Sequence, residues 1–299
     1  MPPVVRKKKN KQAPKSKPKS KGSGLIPGIG ELHEPSEDMT DYAFLIYGEK
    51  SMGKTTLLSQ VTEKTLVCMF EDRMNTKIRM RAFEPATIEQ MEEGKEDPWA
   101  TFKQLIQEVS DNTDLVDCLA IDTIDMAYVA CQNHICLQNG INHPNDANDY
   151  GATWNEIEQE FASTMEVIRK MEGVTLVLSS HCSVERGEVN TGSKESLRKN
   201  SVYSPTAPKK ASEYVRKFVD YVIFYGKHGT SRALHFRWAD NIWTACGNED
   251  HFKTSEDQPI SVLHMPSKLT AGEDFRSAFN NEPQSAVLQT WEDVGEIEE

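Results

Sequence analysis

The residues with the most specific chemistry form one short run, Gly48-Glu49-Lys50-Ser51-Met52-Gly53-Lys54-Thr55, followed by Thr56. The run fits G-x-x-x-x-G-K-[ST] in full. In such a loop the glycines let backbone N–H groups turn inward around phosphates, and a following helix adds its positive end. Lys54 is expected to reach the β- and γ-phosphates, and the Thr55 hydroxyl to ligate Mg²⁺. A second carboxylate is needed for the metal, and Leu119-Ala120-Ile121-Asp122 supplies one at the end of an apolar run. Asp125 competes for that role but reads better as a helix cap.

Hydrolysis needs a further carboxylate to orient or deprotonate water near the γ-phosphate. Thr123, not a glutamate, follows Asp122, whereas the run Leu66–Phe70 ends in Glu71-Asp72. Glu71 is therefore the expected base, with Asp72 as the alternative. Ser179-Ser180-His181 closes another apolar run. His181 there is placed to sense a γ-phosphate and relay its presence into the following segment, an order–disorder type of switch.

These residues need a scaffold that brings strand ends together. The candidate strands are 44–47, 66–70, 118–121, 174–179 and 221–225, each a continuous apolar run, as expected when both faces are covered. Helices are expected at about 54–63, 99–110, 124–138 and 153–172. The alternation predicts an α/β fold with a mostly parallel sheet and helices on both faces. Residues 232–238 and 241–245 read as an added antiparallel hairpin.

The formal net charge is −12, from 34 basic and 46 acidic residues, but its distribution is uneven. Residues 1–21 hold nine basic residues and no acidic one, which leaves 25 basic against 46 acidic elsewhere. The domain reading is a disordered basic tail and linker over 1–40, a core over 41–247 and a polar extension with an acidic end over 248–299. Within the core, 182–212 reads as a mobile loop, because Gly187, Gly192, Pro205 and Pro208 interrupt it. No apolar run reaches 18 residues and no signal-peptide pattern opens the chain, so a cytoplasmic protein without a membrane span is expected. Cys68 and Cys118 lie within apolar runs, as in a reducing compartment. Cys131-x2-His134-x-Cys136 matches no standard zinc spacing and reads as packing on a helix face.

In order and spacing, YGEKSMGKTT at 47–56, the strand ending in Glu71, LAIDTID at 119–125 and LVLSSH at 176–181 resemble RecA-like P-loop ATPase cores. The nearest likeness is to phage-encoded RecA-core (AAA-type) proteins, some of which anneal single strands, and it spans about 42–247. The resemblance implies a RecA-like P-loop NTPase fold, ATP with Mg²⁺, and assembly into a ring or filament. It also implies DNA contacts after the fourth strand, in recombination, annealing or replication, with a single-strand-binding or replication protein as a further partner. It puts the base at Glu71, the sensor at His181, and a basic finger for a neighbouring subunit at Arg237, with Arg232 second. Such a finger contributes about 10³–10⁵ in rate. If the chain is phage-encoded, the compartment is the host cytoplasm. The oligomerisation segment of true recombinases is not recognisable in residues 1–40, and their long DNA-loop signature is absent.

Loop 182–212 carries Arg186, Lys194, Arg198, Lys199, Lys209 and Lys210, with Tyr203 and Tyr214 available for base stacking. Single-stranded DNA is the expected ligand, with affinity falling steeply with salt. The competing readings are a non-catalytic nucleotide switch or loader acting on DNA, and a P-loop enzyme of another class. An NKxD motif for guanine reading is absent, and no Arg-rich lid of the small-molecule kinase type is evident.

Overall fold

In the strand that feeds the P-loop, neighbouring apolar residues serve two different cores. The computed structural model describes residues 36–71, 78–186, 201–206, 209–228, 231–237 and 242–289. Strand β1 (Ala43–Gly48) is buried along its whole length. Phe44 and Ile46 face one hydrophobic cluster, while Ala43, Leu45 and Tyr47 face the other. β2 (Thr65–Met69) and β4 (Cys118–Asp122) divide their side chains in the same way. Successive side chains on a strand point to opposite faces, so a strand covered twice needs apolar residues at every position.

The strand order is β11-β10-β8-β7-β1-β5-β4-β2-β3, where β3 is Met80–Ala82, β5 Thr175–Arg186, β7 Tyr221–His228 and β8 Ser231–His235. Strands β10 (Val262–His264) and β11 (Val287–Leu288) complete that row. β1 pairs in parallel with β5 and β7, and β4 with β5 and β2. The mostly parallel sheet expected is present, with the parallel strands continued on one side by antiparallel β8, β10 and β11.

On one face lie α3 (Pro98–Asp111), α4 (Ile124–Gln138) and α5 (Ala152–Arg169), with α2 (Ile88–Glu92) packed against α4. Trp99, Phe102, Ile106 and Val109 recur at helical spacing and form the buried stripe of α3. Asp97 caps that helix by accepting from Trp99 N and Ala100 N, and Pro98 fills its first turn. The other face is covered by α1 (Lys54–Leu58) and α7 (Ala271–Phe279).

Four expectations change. Helix α1 stops at Leu58 instead of running to 63, because Arg276 of α7 donates to the carbonyls of Gln60 and Val61, at 2.5 and 2.9 Å. β5 runs on past His181 and pairs Cys182–Arg186 with β6 (Ser201–Pro205), and α6 (Lys209–Phe218) follows. The segment read as a loop over 182–212 is therefore largely hairpin and helix among its described residues. The strand β8 hairpins with β7, and β9 (Ala245–Cys246) pairs with β7 too, because the other edge of β8 is taken by β10.

Finally, the core does not end at 247. The described residues from Glu37 to 289 belong to one compact unit, and Phe252, Ile260, Leu263, Met265, Phe275 and Phe279 are all fully buried. Phe275 meets Phe44 edge-on at 5.6 Å, and Phe252 stacks on Phe236 at 4.3 Å. Each such ring contributes about 1.5–3 kcal/mol through burial alone. Residues 1–35 and 290–299, with most of the expected tails, lie outside the described residues. The remaining part of the expected linker holds a 3-10 turn at Met39–Asp41, capped by Asp38.

Buried His235 sets a pH dependence. It is 2% exposed, and burial pushes its imidazolium down to about 3. The unfolded chain takes up that proton near 6.5, so stability is full above about 6.5 and falls as pH drops toward 3. The loss is at most about 1.4 kcal/mol per pH unit. His235→Leu is expected to flatten the fall in Tm between about pH 7 and about pH 5. An unchanged slope in thermal melts would assign that acid sensitivity to other groups.

Candidate nucleotide site

Strands β1, β4 and β2 end together beside the middle of β5, and their register fixes the site. Gly48 of β1 is level with His181 of β5, Ile121 of β4 with Leu178, and Met69 of β2 with Asp122. Gly48 has no room for a side chain, since a Cβ there would lie 2.0 Å from the Tyr225 carbonyl oxygen. The loop then turns through Ser51 at φ 68° and Gly53 at φ 102°. Lys54 is buried, and its Nζ donates to the carbonyls of Gly48 and Glu49 at 2.7 and 3.0 Å. Burial lowers the pKa of this ammonium, while the nearby carboxylates of Asp122 and Glu71 favour its charged form.

Asp122 is 4% exposed and accepts two hydroxyl hydrogen bonds. Thr55 Oγ1 donates to its Oδ2 at 2.5 Å, and Ser179 Oγ donates to its Oδ1. The peptide bond joining Asp122 to Thr123 is cis. Thr55 and Asp122 thus present hard oxygen donors side by side, a set suited to Mg²⁺. Among the described residues no group of three His, Cys, Asp or Glu side chains could hold a metal ion. Cys131 and His134 engage the Ile157 carbonyl and Asp97 instead.

Glu71 lies two residues past the end of β2, and its Oε1 meets Nε2 of His181. The structure therefore brings together Lys54, Thr55, Asp122, Glu71 and His181, which are dispersed over more than a hundred residues of sequence. Asp72 lies outside the described residues, as do Lys194, Arg198 and Lys199. Arg186 closes β5, and Lys209 and Lys210 open α6; for these three only the backbone is described.

Arg237 is not brought to this chain's own P-loop. His235 pairs with Phe224, which is level with Tyr47, so the chain beyond His235 runs back toward the strand starts, where Arg237 influences Tyr221. Arg232 instead pairs with Lys227, beyond Tyr225 and on the P-loop side of the sheet.

Sequence reasoning missed the part played by Asp125. Helix α4 begins at Ile124, and no side-chain cap bond is made at Thr123. Asp125 Oδ1 accepts from Ser180 Oγ at 3.0 Å and from Thr206 Oγ1 at 3.1 Å, and its Oδ2 from His181 N at 3.1 Å. One carboxylate therefore ties the chain entering the β5–β6 hairpin to the chain leaving it. Its position three residues after Asp122 was the only available signal. Tyr47 makes a second tie, donating to the carbonyls of Tyr203 and Trp243 at 3.0 and 2.6 Å.

A P-loop on a parallel sheet, with a buried aspartate against its threonine, defines a nucleotide-binding P-loop ATPase domain. The model of the AAA domain family matches residues 40–244, and the chain belongs to that family. Among solved structures, a KaiC-like protein from the archaeon Pyrococcus horikoshii OT3 is 13% identical with a TM-score of 0.35, covering 66% of this chain and 78% of its own. The RadB recombinase is 11% identical with a TM-score of 0.38, covering 77% of this chain and 89% of its own. No curated protein sequence matches the chain significantly. Among the described residues no helix is long and apolar enough to cross a membrane.

Proposed function

We propose that this chain hydrolyses ATP with Mg²⁺ and couples the nucleotide state to binding of single-stranded DNA, in recombination, annealing or replication. The contact between Glu71 and His181 carries this reading. A carboxylate beside a P-loop can take the proton of the attacking water, and His181 stands at the root of the hairpin that follows the fourth core strand. Thr55 and Asp122 are the residues that would hold Mg²⁺, whose charge, when bound, would offset that developing on the phosphates. Lys54 steadies the β- and γ-phosphate oxygens. Water attacks the γ-phosphorus, its proton passes to Glu71, and ADP and phosphate leave.

While His181 holds Glu71 Oε1, that oxygen is engaged. Turning the imidazole toward a γ-phosphate releases it for water and shifts the strand segment that Asp125 ties to the hairpin exit. The basic residues Arg186, Lys194, Arg198, Lys199, Lys209 and Lys210 give this region a chemistry suited to a phosphate backbone. Arg237, remote from its own P-loop, serves only a neighbouring copy's site, in line with a ring or filament. A single-strand-binding or replication protein is a fitting partner.

The test is ATP turnover with and without single-stranded DNA, in the wild type and in Asp125→Ala. DNA is expected to stimulate the wild type, and the variant to lose most of the ratio of stimulated to basal rate. ATP binding without turnover in either condition would sink hydrolysis and favour a nucleotide-dependent loader. Stimulation of equal size in the variant would detach Asp125 from the coupling.

A further inference from the structure

We propose that Lys268, outside the family-defined region 40–244, is a further ligand for the nucleotide's phosphates, supplied in cis by the C-terminal segment. Three of its side-chain carbons, Cε, Cδ and Cγ, lie 3.2, 3.4 and 3.6 Å from the point where a side chain on Gly53 would begin. Gly53, at φ 102°, is the last loop residue before Lys54, so the Lys268 stem lies over the turn whose amides face phosphate. Among the described residues the Lys268 ammonium has no hydrogen-bond or ion-pair partner. A lysine whose methylenes pack on a phosphate-loop glycine while its ammonium has no protein partner among the described residues is suited to an anion.

The placement is anchored. The Lys268 carbonyl accepts from Gln60 Nε2 at 3.1 Å, and Gln60 Oε1 accepts from Gly272 N at 3.1 Å. Arg276 closes the end of α1 from the same helix, and Met265 N donates to the Arg232 carbonyl at 2.7 Å. Arg232 adds a second cation on the sheet face of Leu234, and its Nε is buried with no hydrogen-bond partner among the described residues. The segment that carries Lys268 is thereby fixed to both the P-loop helix and the adjoining strand. The loop amides cradle the α- and β-phosphates, so the amine serves ATP and ADP alike.

This inference rests on the P-loop being the nucleotide site, and the experiment separates the two. Lys268→Met keeps the stem over Gly53 and removes the charge, and Lys268→Arg restores a cation. Fluorescent ATP and ADP analogues are titrated into the full chain, with Tm read in the absence of nucleotide to confirm folding. Lys268→Met is expected to raise both Kd values about tenfold with Tm unchanged, a loss typical of one charge-assisted contact, and Lys268→Arg to recover most of it. Wild-type or tighter affinity in Lys268→Met overturns the assignment while leaving the site intact. Failure of the wild type to bind either analogue overturns the site and this inference together.

Discussion

Replacing Lys54 with alanine is expected to raise the Kd for ATP by about 10²-fold or more, roughly 3 kcal/mol, in a chain that still folds. The side chain is buried, its amine is fixed by the carbonyls of Gly48 and Glu49, and Asp122 and Glu71 favour its charge. A buried ammonium opposite a polyphosphate is screened far less than a surface one, which is why the loss is large. Calorimetric titration measures it, and a Tm without nucleotide checks the fold. Wild-type affinity in the variant would refute the site itself, with every assignment built on it.

The second large effect belongs to Glu71. Glu71→Gln preserves the shape of the side chain and its ability to accept a hydrogen bond from His181, but removes the basic oxygen. Turnover is expected to fall by about 10²–10⁴, while the Kd for ATP changes little. Single-turnover kinetics separate the two quantities. Asp72→Asn is the companion variant, since Glu71 and Asp72 are adjacent in sequence. Loss of turnover in Asp72→Asn with normal rates in Glu71→Gln would move the base by one residue. A rise in Kd together with a fall in rate in Glu71→Gln would mark a residue that holds the loop and not one that takes a proton.

What could be read from sequence was local or periodic. The P-loop is eight contiguous residues, and the run Phe44–Tyr47 betrays a strand because both of its faces must be apolar. Helix α4 was legible to the residue, at 124–138, and α3 nearly so, expected at 99–110 and found at Pro98–Asp111. The C-terminal segment was not legible. Its apolar residues, from Phe252 to Phe279, are scattered among charged ones, and strands as short as Val262–His264 and Val287–Leu288 leave no period to detect. The second half of β5 was missed for another reason. Beyond His181 it leaves the doubly covered sheet and pairs with one strand only, so its polar composition resembles a loop. The arrangement around Glu71, His181 and Asp125 depends on register between β2, β4 and β5, which sequence spacing does not encode.

Strand β5 has a mechanical consequence. Its twelve residues span about 40 Å as one uninterrupted ribbon. The first part is held between β1 and β4, and the remainder, among the described residues, pairs with β6 alone. An extended chain resists stretching and transmits tilt, so the aim of the projecting end is set by the twist at its clamped end. A core substitution beneath Leu176 or Leu178 that changes that twist by a few degrees swings the far end by an ångström or more. Positions that touch neither nucleotide nor nucleic acid thus act as steering points for the hairpin.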